Sequence, residues 1–230
     1  MLNKSALIDP LQQGFPPAWA GNISFASWLV SLHKPETFVE LGTHSGNSYC
    51  AFCRAIKENN LSTRAYAVDS WLASEPAGTY DEQVFLTLKN YHDHAYGSFS
   101  QLLRMALDEA VEQFPDGSID LLHIDELCTS KWVRHDFKAW LPKLSQCGIV
   151  LFHDTHLREG DFGLFKLWKD LANQYQAFRF KHSNGLCMLL VGRKQHPVLA
   201  QLAQSPQICR SSRPGREVWG DSPVAGPESP

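Results

Sequence analysis

Two stretches of the 230-residue sequence place an imidazole and a carboxylate together at the end of an apolar run. One is Leu122–Asp125 and the other is Leu151–Asp154. If the two runs are neighbouring strands of a parallel sheet, their ends bring Asp125 and Asp154 close together. Two carboxylates with an imidazole either hold a divalent cation such as Mg²⁺ or serve as an acid and a base.

These residue types lead to specific expectations for the reacting end of the site. We predict that His153, Asp154 and His156 are catalytic, with the two histidines as candidate bases. Asp125 and Asp154 would then orient the bases or bind Mg²⁺, and the sequence leaves both options open. His123 is predicted to be a hydrogen-bonded histidine of the core.

A second group with chemical potential is Glu40-x-Gly42-x-x-x-Gly46, between a predicted strand and a predicted helix. Glycines let the backbone turn tightly and approach a ligand. A carboxylate at Glu40 would repel a pyrophosphate, but it can accept hydrogen bonds from a cationic or amino ligand. Asp69 ends the next strand-like run, where it can take both hydroxyls of a ribose. The alternative for Asp69 is the cap of a turn.

The elements that must position these residues alternate between strand-like and helix-like patterns. Such alternation predicts an α/β fold in which helices cover both faces of a mostly parallel sheet. The expected strands are 37–41, 65–69, 119–125, 149–154, 178–180 and 186–191, with 99–105 a strand or a helix. The expected helices are 23–32, 47–59, 81–95, 108–114, 132–141 and 161–175. The last two strands are expected at the sheet edge in antiparallel orientation.

The amino-acid composition indicates the domain organisation of the chain and the classes of partner that it favours. We predict an N-terminal extension (1–17), one doubly wound, Rossmann-like domain with seven strands (18–195) and a disordered C-terminal tail (206–230). The net charge is −3, with acidic and basic residues interspersed, which argues against nucleic acid as a partner. The chain shows no apolar run long enough to span a bilayer and no secretory signal, so a cytoplasmic location is expected. Six cysteines, including Cys50 and Cys53 in a predicted helix, fit reduced thiols.

Several stretches resemble the class I S-adenosylmethionine-dependent methyltransferases. Phe38–Tyr49 is similar to their motif I and Ala67–Trp71 to their second motif. Other runs match the bacterial type 24 branch, which often sits beside glycosyltransferases; they are Asp116–Asp125, Val133–Leu144, Val150–Thr155 and Phe162–Trp168. The resemblance covers roughly residues 20 to 193.

The resemblance implies S-adenosylmethionine as cofactor and assigns roles around it. Glu40, Gly42 and Gly46 would cradle the amino acid end, and Asp69 would hold the ribose. The full set implied to bind the cofactor is Glu40, Gly42, Thr43, Ser45, Gly46, Asp69, Ser70, Trp71 and Asp125. Asp125 and Asp154 fall where metal-dependent relatives carry a cation, so Mg²⁺ stays an open option.

The sequence departs from the branch near the reacting sulfonium. Glu126, Cys128 and Ser130 stand where the branch usually has Gly, His and Tyr. We expect O-methylation of a small molecule, on a sugar or natural-product hydroxyl. The aromatic residues Trp71, Tyr80 and Phe85 either line the acceptor pocket or only pack in the core. Two alternatives remain: cyclisation of the cofactor's aminobutyryl arm with release of methylthioadenosine, and a catalytically silent binding subunit. A homodimer is left open.

Overall fold

The computed structural model describes residues 19–72, 82–125, 130–153, 164–180 and 185–204. Within these ranges seven strands form one sheet, and helices flank it. The predicted fold class, a doubly wound and mostly parallel seven-stranded sheet, is confirmed. The expected N-terminal extension and C-terminal tail lie outside the described residues. No helix among the described residues is long and apolar enough to cross a membrane.

The seven strands are short, and those at the centre of the sheet are mostly apolar and buried, as expected for strands covered on both faces. Their bounds are β1 Thr37–Leu41, β2 Arg64–Asp69, β3 Ser100–Arg104, β4 Ile119–Ile124, β5 Leu144–Phe152, β6 Gln176–Phe180 and β7 Leu186–Leu190. Their order across the sheet is β3-β2-β1-β4-β5-β7-β6. The order reverses between β1 and β4, and ligands of such sheets bind at the carboxyl ends of the strands at this point.

The helices form two layers. Their bounds are α1 Ile23–His33, α2 Asn47–Glu58, α3 Glu82–Ala95, α4 Leu107–Ala110, α5 Ser130–Trp140, α6 Leu164–Ala172 and α7 Pro197–Ala203. Buried side chains of α1, α2, α3 and α7 share one core cluster with every second residue of the central strands. The other core cluster joins α4, α5 and α6 to the opposite face of the sheet.

Alternation along β1 and β4 sends Glu40 and His123 into the layer of α1 and α2. The neighbouring residues Val39 and Leu122 enter the other layer. The site residues at the ends of these strands therefore face the first two helices of the chain.

Several predicted boundaries were wrong. β5 begins at Leu144, five residues before the predicted start. The prediction missed its first half because that half is polar or contains glycine, and only the second half is an apolar run. The segment after Leu107 forms one short helix and then a 3₁₀ turn, not a single helix to Phe114. The undecided segment 99–105 is the edge strand β3.

The last two strands lie at the far edge of the sheet and pair in antiparallel orientation, as expected. β7 lies between β5 and β6 and runs antiparallel to both, so β6 points in the same direction as the parallel strands. Helix α7 follows residue 195, and its Leu199 and Ala203 are buried in the first core cluster. The packed part of the chain therefore continues to at least Ala203.

Candidate active site

The turn between β1 and α2 brings backbone groups to the ligand-bearing edge of the sheet. Gly42 and Gly46 have φ values of 79° and 80°, the left-handed region in which glycine carries no steric cost. The N–H of Gly42 donates to the carbonyl of Val68, and the N–H of Gly46 donates to that of Thr43. Both predicted glycines are thus required by the path of this turn.

Asp69, at the end of β2, lies directly against that turn. One carboxylate oxygen accepts the backbone N–H of His44 at 2.9 Å, and the other accepts that of Trp71 at 2.8 Å. The indole N–H of Trp71 donates to the carbonyl of His44 at 2.7 Å. Asp69 therefore caps two turns, the alternative that the sequence left open, and contact with a ribose stays a prediction.

Glu40 and His123 form a fully buried pair on neighbouring strands. They are direct partners in the register of β1 and β4, and Nδ1 of His123 lies 2.7 Å from Oε2 of Glu40. The hydroxyl of Ser48 donates to the other oxygen of Glu40 at 3.0 Å. Burial raises the pKa of Glu40, His123 opposes this rise, and the charge of Asp125 adds to it.

The prediction of a hydrogen-bonded core histidine at position 123 is therefore half right. Nδ1 has its partner, whereas Nε2 is buried and has no hydrogen-bond partner in the described structure. Glu40 lies beneath the turn rather than open to solvent, so its predicted contact with the cofactor also stays a prediction.

Asp125 and His153 meet at the ends of β4 and β5. Nδ1 of His153 lies 2.8 Å from Oδ1 of Asp125, and their side chains are 3% and 16% exposed, respectively. Burial by itself raises the pKa of Asp125. The hydrogen bond and charge of His153, with smaller contributions from His123 and Ser48, reverse the effect and hold that pKa below its usual value. The pair can serve as a base with an orienting carboxylate.

Trp19 is a residue of this site that the sequence reasoning missed. Its ring centroid lies 5.1 Å from that of His123 and 5.8 Å from that of His153. Its indole Nε1 is buried and has no hydrogen-bond partner in the part of the chain that the structure describes. No periodic pattern marks a single tryptophan ahead of α1, so only the folded chain reveals the contact.

The other predicted residues have different surroundings. Thr43 and Ser45 are buried in the turn, and the hydroxyl of Thr43 has no partner among the described residues. Ser70 accepts the N–H of Leu72 at 3.3 Å. Trp71 packs against Phe85, as the packing alternative predicts, with ring centroids 4.9 Å apart. The predicted residues Asp154, His156 and Tyr80 lie outside the described residues.

A second polar cluster lies away from this edge. The hydroxyl of Ser100 is 2.7 Å from Nε2 of His92 and 2.5 Å from the hydroxyl of Tyr49, and Nδ1 of His92 is 2.9 Å from Asp93. Ser100 is the first residue of β3 and is buried, so this serine–histidine–aspartate arrangement ties α2 and α3 to the sheet.

Cys50 is not a reactive thiol, since burial raises its thiol pKa to about 12.

Comparison with known proteins places this geometry in a family. Residues 39–155 match the model of a methyltransferase domain family, type 24. The match begins in β1 and includes the turn after it, Asp69, and the ends of β4 and β5. The chain belongs to this family. The resemblance to type 24 methyltransferases is thereby confirmed.

A relative of this methyltransferase domain is an uncharacterized protein, y4gI, of Sinorhizobium fredii. The two are 41% identical over 188 residues, which is 82% of this chain and 21% of the relative. The chain thus spans about a fifth of the length of that protein.

Solved structures share the fold of this methyltransferase domain. One is a putative O-methyltransferase from Klebsiella pneumoniae, with 13% identity, a TM-score of 0.60, and 81% of this chain and 91% of that chain covered. Another is the O-methyltransferase TomG from Streptomyces achromogenes, with 13% identity, a TM-score of 0.58 and the same coverage. A putative caffeoyl-CoA O-methyltransferase from Staphylococcus aureus has 15% identity, a TM-score of 0.57, and 79% and 83% covered.

Proposed function

We propose that this chain transfers the methyl group of S-adenosylmethionine to a hydroxyl of a small molecule, with His153 as the base. The observation that carries the proposal is the pair of Asp125 and His153 at the carboxyl ends of β4 and β5. It lies beside the strand order reversal, where this class of sheet receives its ligands.

The residues around the turn fit the amino acid end of the cofactor. The hydroxyl of Thr43, the indole N–H of Trp19 and Nε2 of His123 are buried polar groups without partners among the described residues. Buried polar groups are ordinarily hydrogen-bonded, so each of these three supports a polar ligand or water beside it. A carboxylate or amino group would satisfy them.

The ribose end is assigned to Asp69. Each of its oxygens already accepts one backbone N–H, but an ionised carboxylate offers about four acceptor positions. Two ribose hydroxyls can therefore be added without breaking the turns. S-adenosylmethionine, when bound, supplies an electrophilic methyl group on a sulfonium.

His153 is suited to remove the proton of an acceptor hydroxyl. Asp125 lies on Nδ1, so it orients the ring and stabilises the protonated imidazole, and Nε2 becomes the nitrogen that receives the proton. Because His153 is almost fully buried, the site also limits access of water to the base. Methyl transfer is an in-line displacement, so positioning the acceptor supplies much of the remaining rate.

A Mg²⁺ on Asp125 and Asp154 is a separate proposal. Asp125 is hydrogen-bonded to His153, which supports an orienting role more directly than a ligand role. Chelation distinguishes the two, because turnover by a metal-free base does not respond to it.

The names of the structural neighbours support the acceptor class. Three are named O-methyltransferases or putative ones, and TomG is described in complex with S-adenosylmethionine.

The test is to incubate the protein with S-adenosylmethionine alone and then with a panel of hydroxylated small molecules. Mass spectrometry would follow adenosylhomocysteine and methylthioadenosine. Acceptor-dependent adenosylhomocysteine supports the proposal. Methylthioadenosine without acceptor would replace methyl transfer by cyclisation of the aminobutyryl arm. Binding without either product across the panel would favour a catalytically silent subunit.

His153→Gln is the decisive variant for the base. We expect turnover to fall by roughly 10²- to 10⁴-fold, the usual contribution of a general base, while the Kd for adenosylhomocysteine changes little. His135→Gln, at an exposed position of α5, is the matched control and should keep full turnover. Full turnover in His153→Gln would remove this residue from the mechanism.

A further inference from the structure

Two residues of the site have a backbone conformation that their side chains disfavour. Among the described residues, four non-glycines have positive φ: Lys34, His44, Asn60 and Trp71. Lys34 and Asn60 follow the ends of α1 and α2, where a left-handed residue commonly closes a helix. His44 and Trp71, with φ values of 49° and 47°, lie at no helix end. Strain of this kind persists where the surroundings hold it, and it concentrates at functional sites.

The two strained residues are bonded to each other through Asp69. The carboxylate of Asp69 accepts the N–H groups of both, and the indole N–H of Trp71 donates to the carbonyl of His44. Two of these bonds, at the N–H and at the carbonyl of His44, hold the peptide units on both sides of its Cα. They therefore fix its φ and ψ, and with them the course of the turn from Gly42 to Gly46.

We propose that Trp71 is a positioning residue for the cofactor, which holds the 42–46 turn through His44 and does not itself contact the ligand. This inference rests on the proposed function and deepens it. Trp71 is 2% exposed and packs on Phe85, and the guanidinium of Arg104 lies 4.5 Å from the centre of the Phe85 ring. Through Phe85, Trp71 thus connects the first turn of α3 and the last residue of β3 to the 42–46 turn.

The same bonds also fix the carboxylate of Asp69. Its two engaged oxygens set the plane of the carboxylate, so the remaining lone pairs keep one direction. Because the 42–46 turn and Asp69 are already ordered in the free protein, less conformational entropy is lost when the cofactor binds. Loss of the indole N–H would leave the ligand contacts in place but loosen the geometry that presents them.

Trp71→Phe keeps an aromatic ring and removes only the N–H donor and one ring's volume. Trp140→Phe is the matched control, since Trp140 is also buried but packs against Phe114 in the layer across the sheet. The readouts are the Kd for adenosylhomocysteine by calorimetry, well below the melting temperature, and the Tm of the free protein.

We expect Trp71→Phe to raise the Kd about fivefold or more, the range of one lost hydrogen bond, while Trp140→Phe changes it less than twofold. Both variants should lower Tm to a comparable degree. A merely structural role for Trp71 would lower Tm and leave the Kd of the folded protein unchanged, and that result would overturn the inference. Failure of the wild-type protein to bind adenosylhomocysteine would instead overturn the proposed function.

A second substitution guards against a folding defect in Trp71→Phe. Replacing Trp71 by benzothienylalanine exchanges the indole N–H for sulfur at nearly constant shape. The Kd should rise as in Trp71→Phe, and the amide hydrogen of His44 should exchange faster by NMR. A Kd and an exchange rate equal to those of the wild type would contradict the role of the N–H.

Discussion

At the scale of single residues, the site is built from acids that each have a defined partner. Glu40 is paired with His123, Asp69 with two backbone amides, and Asp125 with His153. The two buried acids differ in pKa: burial raises the pKa of Glu40 above its usual value, whereas the hydrogen bond and charge of His153 outweigh burial and hold the pKa of Asp125 below. Opposite shifts in neighbouring acids are typical of sites with divided roles.

The raised pKa of Glu40 leads to a prediction for stability. Because the fold disfavours its carboxylate form, the stability that this group contributes is complete below its unfolded pKa of about 4.3 and is lost as the pH rises through the folded pKa. Glu40→Gln carries no such charge. Relative to the wild type, we therefore expect Glu40→Gln to gain free energy of unfolding as the pH rises from about 4.3 through the folded pKa of Glu40.

Urea unfolding of both proteins across that range measures the difference. Glu58→Gln, at an exposed position of α2, is the control and should show a small difference at every pH. A Glu40→Gln protein that loses stability relative to the wild type as the pH rises would show that the pairing with His123 outweighs burial.

At the scale of elements, the turn between β1 and α2 depends on close packing against α3. A Cβ atom placed on Gly46 would lie 2.4 Å from Cδ1 of Leu88, whereas one placed on Gly117 would meet nothing within 4 Å. The two glycines have similar positive φ values, 80° and 71°, so the backbone cost of alanine is common to both.

We expect Gly117→Ala to cost about 1–2 kcal/mol of stability and Gly46→Ala about 1–3 kcal/mol more, because of overpacking against the buried Leu88. Denaturant titration gives the two values. Gly46→Ala should also weaken adenosylhomocysteine binding, and Gly117→Ala should not. A double variant with Leu88→Ala should recover part of the loss in Gly46→Ala, and equal costs for the two single variants would rule out the clash.

Strands and helices could be predicted well where the pattern of hydrophobic residues marks their bounds. Thr37–Leu41 was predicted with the bounds that the structure shows, because a branched apolar run ends at a glycine turn. The start of β5 could not be predicted, since its first half is polar or half-buried and resembles a loop. Pattern also does not reveal that β7 inserts between β5 and β6, which depends on pairing between distant segments.

The site was predictable as a set of strand ends and not as a set of contacts. The sequence predicts Asp69, Asp125 and His153 as site residues because acids and imidazoles end its apolar runs. The pairing of Glu40 with His123 follows from the register of β1 and β4, which cannot be predicted from a single sequence. The contribution of Trp19 depends on where the chain before α1 folds back, and no periodicity records that.

At the scale of the whole molecule, the question is how much of the chain the fold needs. The described core ends with α7, which begins with His196 as its cap and Pro197 in its first turn. Leu199 is fully buried and Ala203 nearly so, both in the cluster that also contains the first two helices. The sequence predicts a disordered tail for residues 206–230, because their composition cannot offset the entropy of ordering.

Two truncations therefore have different expected outcomes. A chain ending at residue 205 should keep the Tm and the Kd for adenosylhomocysteine of the full chain. A chain ending at residue 195 removes α7 and exposes the core around Leu199. Burying one such side chain is worth about 1.5–3 kcal/mol, and each kcal/mol shifts Tm by roughly 2–4 °C at this size. Its Tm should fall by roughly 3–12 °C.

Calorimetric melting of the three chains, with and without adenosylhomocysteine, tests this. Because α7 packs beside β6, away from the turn after β1, the shortened chain should still bind the ligand and gain Tm from it while it remains folded. A lower Tm in the chain ending at 205 would mean that residues beyond it stabilise the domain. An unchanged Tm in the chain ending at 195 would mean that the burial of Leu199 adds nothing to stability, and the core would then be complete without α7.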